Sequence, residues 1–234
     1  MACPEKMARL AYRGPDFDID GVVVRRFVVP EDDDKTFEQF VAELPHVAMG
    51  RGCDPGTYAA LSVDGKLWMS DTTAEKNDHL MAVAVADMAP GGRGLVTGLG
   101  LGCVVAAMLD SLDHVDVIER DWRVVETIGA WYKGTYGDRV EIIHADAYAY
   151  RWPAGQRWDI VWHDIWPSLS AKNLTGMAKL RKRYGSRAVW QGCWGFEECK
   201  WMRQVERNDA RQIASLLGTK RTNARIRPDR KSVV

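Results

Sequence analysis

The sequence predicts an α/β fold: a Rossmann-like, mostly parallel sheet with helices on both faces, preceded by a small N-terminal β-hairpin piece. Three observations carry that expectation. From Leu95 onward, short β-branched runs alternate with helix-length apolar patterns, and strands that alternate with helices pair in parallel under helical cover. A glycine-rich turn, Gly98-Leu99-Gly100-Leu101-Gly102, joins the first of these runs to a helix. Upstream, Asp64-Gly65 between two apolar-rich runs is a two-residue hairpin turn. The chain has 234 residues, 46% apolar and 27% charged. Those values exclude disorder over most of the length, as well as collagen and coiled coil.

Taken in order, residues 1–20 are polar and broken by Pro4, Gly14 and Pro15, which predicts a loose lead-in. Val22 to Val29 reads as a β-branched strand between Gly21 and Pro30. Glu31 to Asp34 forms an acidic first turn for a short helix over Lys35 to Leu44. Tyr58–Val63 and Lys66–Ser70 make the hairpin. Thr72 with Glu75 fits a capping box for a helix with Leu80, Val83, Ala84 and Met88 on one face, ended by Pro90-Gly91-Gly92. Strands follow at Leu95–Thr97, Val115–Ile118, Val140–Ile143, Asp159–Trp162 and Ala188–Trp190. Helices fall at Val104–Leu109, Trp122–Tyr132, Leu174–Tyr184 and Phe196–Leu217. A boundary near residue 92 divides the chain into an N-terminal β-rich region (1–92), an α/β domain (93–217) and a basic tail (218–234).

Lys+Arg and Asp+Glu are both 32, so the net charge is zero and no global basic excess argues for nucleic acid. The tail from Gly218 holds six bases and one acid. It lacks aromatic residues to stack bases, so a nucleic-acid partner is not the favoured reading. Five widely spaced cysteines without a C-x-x-C suit neither a disulfide framework nor a zinc site, and read as reduced cytosolic thiols. The longest apolar stretch, Gly94 to Leu109, is shorter than the ~20 residues a membrane span needs. A cytoplasmic protein with no membrane partner and no metal is expected.

The chemistry centres on the glycine turn. Glycines there let the backbone turn tightly and approach a ligand, and the helix that follows offers free N–H groups. The third glycine falls one residue early for the dinucleotide fingerprint, with Cys103 where that pattern wants glycine. Glu119, seventeen residues beyond Gly102, follows the second parallel strand and can accept from ribose hydroxyls. Asp146 closes the third strand, a partner for an adenine amino group or a helix N-cap. Together these point to an adenosine ligand.

This constellation resembles the class I S-adenosylmethionine-dependent methyltransferases over residues 93–195. The resemblance implies that Gly98, Gly100 and Gly102 pass the methionine part of S-adenosyl-L-methionine, Glu119 holds the ribose and Asp146 the adenine, with Leu99, Arg120 and Ala147 beside them. That family's sheet ends in an antiparallel pair of strands; here the chain after Trp194 reads as helix and tail. A narrower resemblance, from Leu61 to Asp164, is to the spermidine synthases. Leu61-Ser62-Val63-Asp64-Gly65 looks like their hairpin, His144-Ala145-Asp146-Ala147-Tyr148 like their adenine-side motif, and Asp164 falls where their catalytic aspartate lies. The sequence departs from that pattern at Trp68, at Thr73-Ala74 and at Asn77-Asp78-His79.

Asp164 is therefore the candidate catalytic residue, positioning or deprotonating the acceptor. His163 beside it faces the opposite side of an alternating strand. Trp166, Trp190 and Trp194 flank strand ends and are candidates to wall an acceptor pocket. The leading expectation is a methyltransferase of spermidine-synthase-like build with an unidentified small-molecule or macromolecular acceptor. The alternatives are an aminopropyltransferase using decarboxylated S-adenosylmethionine, and a non-catalytic adenosine- or nucleic-acid-binding module. Proteins of that build often dimerise, which makes a homodimer one candidate assembly, although no interface is legible in the sequence.

Overall fold

The computed structural model describes residues 4–29 and 54–218. Helix α1 (Pro4–Arg9) leads into an antiparallel sheet of β1 (Phe17–Ile19), β2 (Val22–Val29), β3 (Gly56–Val63) and β4 (Lys66–Ser70), in that spatial order. Helix α2 (Thr73–Ala86) then crosses to the second sheet. There follow β5 (Arg93–Thr97), α3 (Cys103–Leu109), β6 (His114–Glu119), α4 (Trp122–Val124), a π-helical turn (Val125–Gly129), α5 (Ala130–Tyr136) and β7 (Val140–His144). The last elements are β8 (Trp158–His163), α6 (Asn173–Tyr184), β9 (Ala188–Cys193) and α7 (Phe196–Gly218). The second sheet is wholly parallel, in the order β7-β6-β5-β8-β9. The α/β Rossmann-like fold with an N-terminal antiparallel piece is thus the observed one.

Period-two alternation divides the parallel strands between two cores. Val96, Val115, Val117, Ile160 and Trp162 face one core, which they share with α2, α3 and α5. Leu95, Ile118 and Val161 face the other, against Leu180 and Tyr184 of α6, and Trp158, at the start of β8 where the alternation has not yet set in, packs into this second core as well. The first core runs across residue 92, because Leu10, Val22 and Leu61 belong to the same cluster as Val104 and Ile128.

The hairpin turn forms as expected. Asp64 and Gly65 both have positive φ, 51° and 72°, as a two-residue turn requires. Several other expectations are corrected. The lead-in is ordered: Leu10 and Tyr12 are buried, and Arg9 bonds to Asp87, Asp110 and the Ala107 carbonyl. The helix begins after Thr72 without the capping box, because Glu75 Oε2 accepts from the Ser70 N–H at 2.7 Å instead. Helix α2 buries Glu75, His79, Ala82, Val83, Val85 and Ala86, while Met88 is exposed, so its inner face is partly polar. The helix expected from Trp122 is interrupted by the π-turn and runs on to Tyr136. The fifth parallel strand, expected to end at Trp190, continues through Gln191 and Gly192 to Cys193, because its register against β8 extends to His163↔Cys193. The helix expected at Lys35–Leu44 and the basic tail beyond Gly218 lie outside the described residues.

Candidate functional site

The carboxyl ends of β5, β6, β7 and β8 open onto one cavity of about 580 Å³, the edge at which open parallel sheets bind ligands. After Thr97 the chain turns through Gly98 (φ 91°) and Gly100 (φ 51°). Glycine is obligatory at Gly98 for two reasons: the left-handed backbone, and the carbonyl oxygen of Asp164, which a Cβ would overlap. That close crossing lets the Asp164 N–H donate to the Thr97 carbonyl at 2.8 Å and fixes the loop after β8 against the glycine turn.

Glu119 closes β6, and three backbone donors orient it. Its Oε2 accepts from the Leu99 N–H at 2.8 Å. Its Oε1 accepts from the N–H groups of Arg120 (2.6 Å) and Asp121 (2.8 Å). A carboxylate offers about four acceptor positions, so capacity remains for a ligand hydroxyl. Asp146, after β7, is exposed on the cavity rim. Its Oδ1 accepts from the Tyr148 N–H at 2.8 Å, a local turn, while its Oδ2 carries no bond to a described residue. The capping role and the ligand role are therefore compatible.

Asp164 sits at the other end of the cavity among acidic neighbours. Its Oδ2 lies 3.7 Å from Nε2 of His79. Burial, reinforced by Glu75, Asp78 and Glu119, pushes its carboxyl up to about 8. Asp78 is tied in place by the indole N–H of Trp194, which donates to its Oδ2 at 2.9 Å. His163 faces the opposite side, as its strand alternation requires. It is fully buried, its Nδ1 lies 3.0 Å from Thr97 Oγ1, and burial pulls its imidazole down to about 4.

The cavity brings together Gly98, Gly100, Glu119, Arg120, Asp146, Ala147, Asp164, Trp166 and Trp194. It does not include three of the expected residues. Leu99 buries its side chain and contributes only its N–H to Glu119. Gly102 opens α3 beside the Tyr132 ring. Trp190 lies within β9 and stacks on Trp162, with ring centroids 6.2 Å apart and planes 3° from parallel. It is a sheet residue, because the strand runs on past it.

Sequence reasoning missed Trp68, Met69, Glu75, His79, Trp122 and Tyr148 as cavity residues. Trp68 and His79 stand at positions where the spermidine synthase pattern is broken, which was the available signal. Met69 and Glu75 come from β4 and α2, whose approach to the glycine turn is a tertiary event. The Leu101 N–H donates to the Met69 sulfur at 3.2 Å. Among the described residues no helix is long and apolar enough to cross a membrane, and no group of three or more His, Cys, Asp or Glu could hold a metal ion.

The chain matches no protein-family model and no curated protein. Among solved structures it is similar to a dimethyladenosine transferase from Plasmodium falciparum, at 18% identity and a TM-score of 0.36 over 45% of this chain and 35% of that one. It is similar to the N-methyltransferase NodS from Bradyrhizobium japonicum at 11% identity and a TM-score of 0.37, over 49% and 62% of the two chains. The 23S rRNA methyltransferase ErmE gives 17% identity and a TM-score of 0.34, over 43% and 39%. The matched part is less than half of this chain and less than two thirds of each of these structures.

Proposed function

We propose that the chain binds S-adenosyl-L-methionine and transfers its methyl group to an acceptor that meets Asp164. One observation carries this reading: the glycine turn, Glu119 and Asp146, from three separate strand ends, border a single cavity. The volume of about 580 Å³ falls within the ~300–1,000 Å³ of small-molecule sites. The donor set also suits the cofactor. Glu119 is oriented to accept from ribose hydroxyls, the Oδ2 of Asp146 is available to an amino group, and Ile118 and Ala147 offer apolar surface between them.

When bound, S-adenosylmethionine supplies an electrophilic methyl group on a positively charged sulfur. The remaining work falls to the protein. The Gly98 and Gly100 backbone allows close approach, and the carboxylates surround the site with negative potential. Ionised Asp164 accepts the proton of the attacking acceptor at its carboxylate. Trp166 and Trp194 wall the acceptor side, and rate enhancement comes mainly from positioning. The succession of antiparallel hairpin, α2 and parallel sheet fits a spermidine-synthase-like build. The free thiols of Cys103, Cys193 and Cys199 fit a reducing, cytoplasmic setting.

A second reading, aminopropyl transfer from the decarboxylated cofactor, is favoured by one observation. Glu75, Asp78 and Asp164 cluster at the acceptor end, which suits a cationic amine. Calorimetric titration with S-adenosylmethionine, its decarboxylated form and NAD separates the readings. Binding of the intact cofactor, weakened at least about tenfold in Glu119→Ala through the lost ribose bonds, supports methyl transfer. Preference for the decarboxylated form supports the second reading. Binding of NAD alone, or of none of the three, overturns both.

A further inference from the structure

A second cavity, of about 320 Å³, lies apart from the candidate site. Its walls are Tyr150, Arg151 and Trp152 from the loop after β7, Arg183 from the end of α6, and Arg187 just before β9. Two of the guanidinium groups are held by the backbone. Arg183 donates to the Tyr150 carbonyl. Arg187 Nη1 donates to the carbonyls of Pro153 (2.9 Å) and Gln156 (3.1 Å).

None of the three arginines has an acidic partner within ion-pairing distance among the described residues. The arginines of the N-terminal part and of α4 differ: Arg9, Arg13, Arg25, Arg26 and Arg123 each pair with an aspartate. Residues 151–187 hold eight bases and two acids in a chain of zero net charge. Both acids are occupied elsewhere. Asp159 accepts from the Arg93 N–H, and Asp164 belongs to the candidate site. Three positive groups around one concavity, two of them held in place and none with an acidic partner, attract an anion, and arginine forks match phosphate oxygens.

The aromatic wall narrows the ligand class. The Tyr150 and Trp152 rings meet edge to face at 4.8 Å, and Trp152 is braced in turn against Trp158 at 4.7 Å. A braced aromatic wall beside arginines is the arrangement that stacks a base while its phosphate is held. We propose that this cavity binds a nucleoside phosphate, with its arginines on the phosphate and Tyr150 and Trp152 against the base. The ligand is either a free mononucleotide or one nucleotide of a single strand.

The test uses the full chain and uridine probes, so that the adenosine features of the candidate site are not engaged. A fluorescein-labelled ten-nucleotide oligouridylate is titrated by polarisation, with uridine monophosphate and inorganic phosphate as competitors. Arg151→Glu is the informative variant, because Arg151 is exposed and makes no bond to the rest of the described chain. Arg207→Glu, on the exposed part of α7, applies the same charge change elsewhere. The expected result is a loss of roughly tenfold or more in Arg151→Glu, with a salt slope smaller by about one, and a change within about twofold in Arg207→Glu. Competition by uridine monophosphate identifies a free mononucleotide as sufficient; failure of that competition identifies the strand. Inorganic phosphate competing as well as the nucleotide overturns the nucleoside assignment. Equal effects of the two variants, or no binding of either uridine probe at physiological salt, overturns the site.

Discussion

Nε2 of His79 stands 3.7 Å from Oδ2 of Asp164, joining α2 of the N-terminal part to the end of β8. The pair lies on the acidic side of the cavity, where burial and Glu75, Asp78 and Glu119 push the Asp164 carboxyl up to about 8. If Asp164 takes the acceptor's proton, activity rises with pH through about 8 and levels off above it. Asp164→Asn removes that rise and lowers the rate by roughly 10²-fold or more. Stability moves the opposite way. The folded carboxyl keeps its proton to a higher pH than the unfolded one, at about 3.9, so stability falls as pH rises from about 4 to about 8. Thermal unfolding at pH 5 and pH 9 checks this: Asp164→Asn gains on the wild type at the higher pH.

Gly98→Ala is expected to be severely destabilising. The new methyl group would overlap the Asp164 carbonyl oxygen, and the backbone has φ 91°. Strain and displaced contacts together cost at least about 2 kcal/mol, roughly 4–8 °C for a chain of this size. A melting temperature within a degree of the wild type would show that the turn does not cross β8 so closely.

The tryptophans divide by position. Trp166→Ala is expected to raise the acceptor KM by roughly two- to tenfold, since Trp166 borders the cavity and an aromatic contact is worth about 0.5–1.5 kcal/mol. Trp190→Ala removes its stack on Trp162 and is expected to lower stability by about 2 kcal/mol or more with KM unchanged. Steady-state kinetics beside thermal melts separates the two; a KM effect confined to Trp190 would reverse the assignment.

His163 supplies an acid-side signature. Burial lowers its imidazole to about 4, below the unfolded value of about 6.5. The unfolded chain therefore binds the extra proton first as pH falls. Stability is lost from about pH 6.5 downward to about 4, at up to about 1.4 kcal/mol per pH unit. Denaturant titrations at pH 7, 6 and 5 measure this slope, which His163→Gln should flatten. The activity profile should carry no limb from His163, which lies outside the cavity.

Much of the parallel half was legible because its signals are local. Alternating β-branched runs announce strands buried on both faces, Asp64-Gly65 announces its own hairpin, and the glycine turn stands directly between a strand and a helix. The order of strand ends then brings Gly98, Glu119, Asp146 and Asp164 to one edge, since parallel strands share a direction. The N-terminal face of α2 was misread for a physical reason. Its inner face carries Glu75 and His79 toward the cavity, so polar residues are buried on a face that apolar spacing does not mark. Strand β9 is expected from the sequence to end at Trp190, because a glutamine and a glycine follow it, yet pairing with β8 carries the strand on to Cys193.

Local sequence specifies the succession of elements, the glycine turn and the acids that end the parallel strands, because each depends on residues within a few positions of one another. That β4 and α2 fold over the glycine turn is instead a matter of long-range packing. That packing sets Met69 against Gly100 and His79 against Asp164, contacts between residues 31 and 85 positions apart. Nothing in local propensity specifies such contacts; they follow from burying two sheets and α2 in one continuous core.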